Sequence, residues 1–221
     1  MSDTDHAHIA ALAAQLQHPR GDHGRKIGDM MHASNLGMTR ACFDALALSG
    51  PARLLEIGHG NGAHVSALLA TVAGLHYHGL DVSELMHDEA RQHNAAAVAA
   101  GQAQFTLQHG DWPFEAPQFD AIMAVNVLYF IQPPEPWLAA LKRCLVPGGR
   151  LALAVGSAAF MQNLPFTAHG FRLYEGEQVA DLLSQVGLRE VESRRHREWV
   201  PSKVDPGGQL ERTFDVVVGR L

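Results

Sequence analysis

Leu54-Leu55-Glu56-Ile57-Gly58-His59-Gly60-Asn61-Gly62 is an apolar run that breaks into three glycines at alternate positions. Arg53–Ile57 reads as a buried strand, and Ala63–Ala73, behind the glycines, reads as a helix. A glycine-rich strand-to-helix turn lets a ligand approach the backbone closely, because no Cβ stands in the way. Its backbone N–H groups, gathered at a helix N-terminus, also favour a carboxylate or another anionic group. The turn is therefore a seat for a nucleotide-like cofactor.

Working outward, strands and helices alternate after Pro51. His76–Leu80 reads as a strand ending at Asp81, followed by a helix from Ser83 to Ala100. Ala103–Gln108 and Phe119–Val125 are the next strands, the second ending at Asn126. Pro134–Cys144 reads as a helix, Pro147-Gly148-Gly149 as a tight turn and Arg150–Val155 as a strand. Glu175–Val186 is a helix stopped by Gly187. Arg189–Glu198 and Arg212–Gly219 follow as strands joined by the turn-rich stretch from Pro201 to Gly208, so they pair antiparallel. Before Pro51 there are two helical stretches, over residues 1–20 and from Ile27 to Leu48. Pro19, Gly21 and Gly24 break the first, and Gly37 is expected to interrupt the second. The pattern predicts an α/β chain: a doubly wound, seven-stranded, mostly parallel sheet with a C-terminal antiparallel hairpin. Residues 1–50 form an N-terminal helical cap, and residues 51–221 form the cofactor-binding domain.

In such a sheet a ligand sits at the carboxyl ends of the strands, near the point where the strand order reverses. Glu56, Gly58, His59, Gly60 and Gly62 lie after the first strand, Asp81 and Val82 after the second, Asp111 and Trp112 after the third, and Asn126 after the fourth. Asp81, about twenty residues past the glycines, suits a carboxylate that takes both hydroxyls of a ribose. Asp111 can accept from an exocyclic amine of adenine, and Trp112 can offer the base a face or an edge. Gly58-x-Gly60-x-x-Ala63 also satisfies the dinucleotide fingerprint, so an NAD-dependent oxidoreductase stands beside other readings at this point.

Taken together, Glu56-Ile57-Gly58-His59-Gly60-Asn61-Gly62, Asp81, Gly110-Asp111-Trp112, Phe119-Asp120 leading to Asn126, and Leu145-Val146-Pro147-Gly148-Gly149-Arg150 resemble the successive motifs of class I S-adenosylmethionine-dependent methyltransferases. The resemblance runs from Leu54 to the C-terminus and implies a Rossmann-like fold whose last hairpin is the family's reversed seventh strand. It also implies S-adenosylmethionine as cofactor: Glu56 and the glycines face its methionine part, Asp81 the ribose, and Asp111 with Trp112 the adenine. Gly62 and the Pro-Gly-Gly turn favour this family over the dehydrogenases. A non-catalytic regulator or partner that keeps the cofactor site is the alternative from another class.

The expected reaction is in-line methyl transfer to O, N, S or C of a small molecule. Methyltransferases of this fold acting on DNA or protein amino groups carry an Asn/Asp-Pro-Pro-aromatic motif after the fourth strand. Here that place reads Asn126-Val127-Leu128-Tyr129. The formal net charge of −6 also argues against a nucleic-acid partner. Met30, Met31, His32 and Asn35, and the loop with Phe160, Met161, Phe166, His169, Phe171 and Tyr174, are candidates for closing the acceptor site. Within them His32, Tyr129 and His169 are the candidates for acid–base or orienting roles. The fourteen histidines form no zinc motif, so no metal is expected, and Cys42 and Cys144 read as two reduced core thiols. With no apolar run that spans a bilayer and no signal pattern, the expectation is a cytoplasmic monomer or homodimer.

Overall fold

The computed structural model describes residues 3–201 and 207–221. Helices α1 (Asp3–Gln17) and α2 (Gly21–Ala45) open the chain. They are followed by β1 (Ala52–Ile57), α3 (Val65–Thr71), β2 (Leu75–Asp81), α4 (Glu84–His93), α5 (Ala95–Ala99), β3 (Ala103–Leu107) and β4 (Phe119–Val125). A 3-10 turn at Leu128–Phe130 leads to α6 (Pro134–Cys144), β5 (Leu145–Gly156), the short α7 (Ala158–Met161) and α8 (Gly176–Gln185). The chain ends in β6 (Arg189–Pro201) and β7 (Gln209–Arg220); the stretch read as a turn between them lies partly outside the described residues.

The seven strands form one sheet in the order β3-β2-β1-β4-β5-β7-β6. Pairing is parallel from β3 through β5, and β7 runs antiparallel between β5 and β6. The chain moves outward from β1 to β3, then crosses back to β4, so the order reverses between β1 and β4. The carboxyl ends of these two strands frame the crevice where such sheets take ligands.

The central strands are apolar on both faces, as a sheet covered on both sides requires. Leu55, Ile57, Ile122, Leu151 and Leu153 point to one side, where Leu138 and Leu141 of α6 and Val179 and Leu183 of α8 pack on them. Their neighbours Leu54, Ala121, Met123, Ala152 and Ala154 point to the other, against Val65 and Leu68 of α3 and Met38, Cys42 and Phe43 of α2. The helices before Pro51 therefore share the sheet's core, through α2 on one face and Ala13 of α1 on the other. Both cysteines are buried and free.

Three expectations about element boundaries need revision. Helix α2 starts at Gly21 and runs unbroken through Gly24, Gly28 and Gly37. Those glycines allow close packing: a Cβ at Gly28 would stand 2.8 Å from Met86 Cε, and one at Gly37 would collide with the Glu198 carboxylate. The helix expected over 83–100 is split at Asn94, whose side-chain amide donates to Gly62 O at 2.9 Å and Ala90 O at 2.8 Å. The Pro147-Gly148-Gly149 segment is a bulge inside β5, where the pairing with β4 slips between Phe119–Leu145 and Ala121–Arg150.

Candidate functional site

A cleft of about 360 Å³ opens at the carboxyl ends of β1, β2 and β4. Its floor is the glycine turn. The Gly58 N–H donates to Leu80 O at 2.8 Å, which fastens the turn to β2. Gly60 has φ +58, and a Cβ there would meet nothing within 4 Å, so its missing side chain leaves open space on the cleft side of the backbone. Asn61 Nδ2 donates to Asp29 Oδ1 at 3.0 Å, tying the turn to α2. Asp81, buried at the end of β2, accepts from the Gly60 N–H at 3.1 Å and the Ser83 N–H at 2.9 Å. Next to it Val82 is an apolar side chain left 47% exposed, and it lines the cleft. Met86, Gln108, Phe130, Ile131 and Trp137 line the cleft as well.

Beside the glycine turn, and lining the same cleft, is a buried charge network. Glu56 accepts from His64 Nε2 at 2.8 Å and from the Tyr77 hydroxyl at 2.6 Å. Burial alone would raise the Glu56 carboxyl, but the His64 charge and these two hydrogen bonds outweigh it and hold the group below the usual carboxylate range. His64 is correspondingly lifted: burial opposes its charge, yet the Glu56 carboxylate raises it further than burial lowers it. His32 of α2 stacks over His64 with ring centroids 6.0 Å apart, and burial followed by His64 lowers its basicity. His59 donates from Nδ1 to Gly60 O at 2.7 Å and packs edge-on to Phe105 at 5.1 Å. Its Nε2 is buried without a hydrogen-bond partner among the described residues, and burial holds the ring neutral to below its ordinary range.

A second, smaller pocket of about 70 Å³ adjoins the cleft, and Met31, Asn35, Asn126 and Phe130 border both. Phe160, Met161, Leu164, Phe166 and Phe171 wall it, from α7 and the segment after it. Asn126, at φ +58 just past β4, donates from Nδ2 to Asn35 Oδ1 at 3.1 Å. The Tyr129 hydroxyl donates to Asn126 Oδ1 at 3.0 Å and accepts from the Gly156 N–H.

Glu56, Gly58, His59, Gly60, Asp81, Val82, Asn126 and His32 thus line the cleft, and Tyr129 and Asn126 line the small pocket. Four of the residues singled out in the sequence lie elsewhere. Gly62, at φ +65, is pressed onto α4, where a Cβ would stand 2.7 Å from Ala90 Cβ. Asp111 is exposed, and Trp112 turns to the core, donating to Cys144 Sγ at 3.2 Å and packing on Phe114 at 5.7 Å. His169 is exposed and borders neither space. Tyr129 is buried and fully engaged, and burial pushes its phenol far above the ordinary range, so it orients Asn126 rather than accepting a proton. Asn61, His64, Gln108, Phe130, Trp137 and Arg212 were not identified from sequence. Arg212 opens a predicted strand between Glu211 and Thr213, where a charge gives no signal of burial.

A glycine turn, an acidic residue closing β2 and a crevice at the reversal of strand order define a Rossmann-like site for a nucleoside-bearing cofactor. The family described as "Methyltransferase domain" matches residues 55–151. The chain is 28% identical over 172 residues to the O-methyltransferase resE of Aspergillus sclerotiorum, covering 74% of this chain and 65% of that protein. It is 33% identical over 164 residues to the protein-L-isoaspartate O-methyltransferase of Anaeromyxobacter dehalogenans, covering 72% of this chain and 66% of that protein. These matches span just under two thirds of either relative's length. Phosphoethanolamine N-methyltransferase 2 of Haemonchus contortus, solved with S-adenosyl-L-methionine, shares the fold at a TM-score of 0.69 and 14% identity, over 95% of this chain and 59% of that one. Residues 55–151 carry a methyltransferase domain, and the sheet has the fold of the class I S-adenosylmethionine-dependent methyltransferases. The cleft suits that family's cofactor: open backbone at Gly60, a buried carboxylate at Asp81 and an exposed apolar side chain at Val82 stand along one wall. Among the described residues no three His, Cys, Asp or Glu side chains are grouped to hold a metal ion, and no helix is long and apolar enough to cross a membrane.

Proposed function

We propose that this chain transfers a methyl group from S-adenosylmethionine to a small, largely apolar acceptor seated in the pocket behind Asn126. The observation that carries this reading is the continuity of the two spaces, which share Met31, Asn35, Asn126 and Phe130 as a common border. When bound, the cofactor supplies a methyl on a positively charged sulfur; the sulfur–carbon bond breaks as an acceptor lone pair bonds to that carbon. The protein's share is positioning and exclusion of water. Each oxygen of Asp81 already accepts one backbone N–H and keeps a lone pair for a ribose hydroxyl. Val82, Met86 and Gln108 make the wall for the base, taking the place expected of Asp111 and Trp112. The aromatic side chains from Phe160 to Phe171 keep water from the acceptor.

Proton removal has modest support within the pocket. Tyr129 is engaged as a donor, and among the described residues no carboxylate or imidazole lines the small pocket. His32, kept neutral by burial and by His64, is a basic nitrogen on the adjoining cleft wall. A second reading, a peptide carboxylate as acceptor, takes support from the relative named for isoaspartyl protein. The small volume and the aromatic lining favour the small molecule.

Calorimetry on Asp81→Ala tests the cofactor half. Loss of hydrogen bonds to an ionised carboxylate, at about 1.5–3 kcal/mol each, should weaken S-adenosylmethionine about a hundredfold while the chain stays folded. Unchanged affinity would defeat the assignment. Transfer of labelled methyl to a panel of one-ring phenols and acids tests the other half. Tight cofactor binding with no transfer to any acceptor would instead favour a non-catalytic binding protein.

A further inference from the structure

We infer that the acceptor is a one-ring aryl compound that presents a hydrogen-bond-accepting oxygen (a carboxylate, carbonyl or phenolate) to the side-chain amide of Asn35, which makes Asn35 the residue that determines acceptor specificity. The inference rests on the proposed function and deepens it.

The polarity of the pocket is set by Arg212. This side chain is buried, and it is the one charged group on the pocket wall among the described residues. A guanidinium donates hydrogen bonds and accepts none. Arg212 gives its protons to Glu198 Oε1, at 3.2 Å from Nε and 2.6 Å from Nη2, to the Ser34 carbonyl, and to Asn35 Oδ1 at 3.3 Å. Only the oxygen of the Asn35 amide can face it, since the opposite flip would set NH₂ against donors. Asn126 Nδ2 donates to the same oxygen at 3.1 Å, and Ser34 Oγ lies 3.4 Å away. Asn126 is oriented in turn, because its own oxygen takes the Tyr129 hydroxyl.

With Oδ1 held by donors, Asn35 Nδ2 must point elsewhere. It makes no hydrogen bond among the described residues, and Asn35 borders both the cofactor cleft and the aromatic pocket. Two amide protons are thus offered at the junction where cofactor and acceptor meet. The rest of the pocket surface is Phe, Met, Leu and Val side chains with Ser34, Tyr129 and Gly156, and among the described residues it holds no carboxylate and no imidazole. A site of this kind accepts a ring edge-on to its phenylalanines and rewards an oxygen lone pair. A cationic amine finds no carboxylate on this wall among the described residues, and its lost hydration goes without an opposing charge.

The test is calorimetry on protein saturated with S-adenosylhomocysteine, using benzoate and benzylamine as probes of the same ring and opposite chemistry. The expected result is benzoate bound at least tenfold tighter than benzylamine. Asn35→Asp keeps an oxygen toward Arg212 and Asn126 but turns the free donor into an acceptor, so the benzoate preference should fall at least tenfold or reverse. Asn35→Leu removes the donor without adding charge and should also reduce the preference. Because the ratio is taken within one variant, any general loosening of the site cancels. Equal or tighter benzylamine binding in the parent protein would overturn the inference, and so would a ratio unmoved by both substitutions or no binding of either probe. Failure of S-adenosylhomocysteine itself to bind would instead overturn the proposed function.

Discussion

Glu56, at the last turn of β1 before the glycines, carries its charge in a fully enclosed place because His64 and Tyr77 both donate to it. Removing one donor leaves a buried carboxylate short of a partner, which costs more than an exposed hydrogen bond would. Tyr77→Phe should lower the unfolding free energy by about 2 kcal/mol, read as a shifted denaturant midpoint with an unchanged slope. The histidines make a separate prediction about pH. Burial holds His78 down to about 4, and burial also lowers His59. In the unfolded chain both take a proton near their ordinary value of about 6.5, while the folded chain refuses it. Stability is therefore lost as pH falls below that value, and for His78 the loss continues down to its folded value of about 4. The His78 share at pH 5 is about 2 kcal/mol, and His78→Gln should flatten that part of the pH profile measured by chemical denaturation. At this scale the position of a residue on the cleft was legible where a strand end dictates direction, as for Asp81 and Asn126. It failed for Asp111 and Trp112, which sit beyond β3 in a stretch with no repeating backbone to aim them; there the indole N–H is taken by the Cys144 thiol. Asn35 could be named as a cap residue, but its polarity depends on Arg212, 177 residues away, and no local pattern carries that information.

Helix α2 shows how packing overrides propensity among the elements. Three glycines inside it should weaken it by about 1 kcal/mol each relative to alanine. It persists because its apolar residues Met38, Cys42 and Phe43 are buried against the sheet, and the glycines let α4 and β6 approach. Glycine as a helix breaker is a property of the isolated chain, which is why the sequence suggested an interruption at Gly37. Gly62 gives the opposite lesson, since it read as cofactor contact and proves to be the fitting between the turn and α4. Gly62→Ala combines a left-handed φ of +65 with a Cβ 3.0 Å from Ala90 Cα, a backbone atom that cannot swing away. The two costs together should destabilise the fold by about 3 kcal/mol, visible as a lowered Tm. The split between α4 and α5 has the same origin, because Asn94 leaves the helix pattern to hold Gly62 O.

Across the whole molecule, the sheet order, the reversed β7 and the crevice between β1 and β4 follow from features that repeat along the chain: alternating strands and helices, turn residues, and runs apolar on both faces. The small pocket lined by Phe160 and Phe171 has no such repetition behind it. It is assembled from α1, α2, the 3-10 turn after β4, α7 with the segment that follows, and strands β6 and β7, elements far apart in sequence that meet in the folded chain. The glycine turn and the strand ends that frame the cleft could accordingly be placed from sequence, while the small pocket's walls could be listed only in part. The account joins the two spaces through Asn126, and a crystal structure with S-adenosylhomocysteine bound tests that junction directly. It should show the ribose hydroxyls on Asp81, the base along Val82, Met86 and Gln108, and the sulfur facing the opening between Asn35, Asn126 and Phe130. A nucleoside lying away from Asp81, or a sulfur turned from that opening, would contradict it.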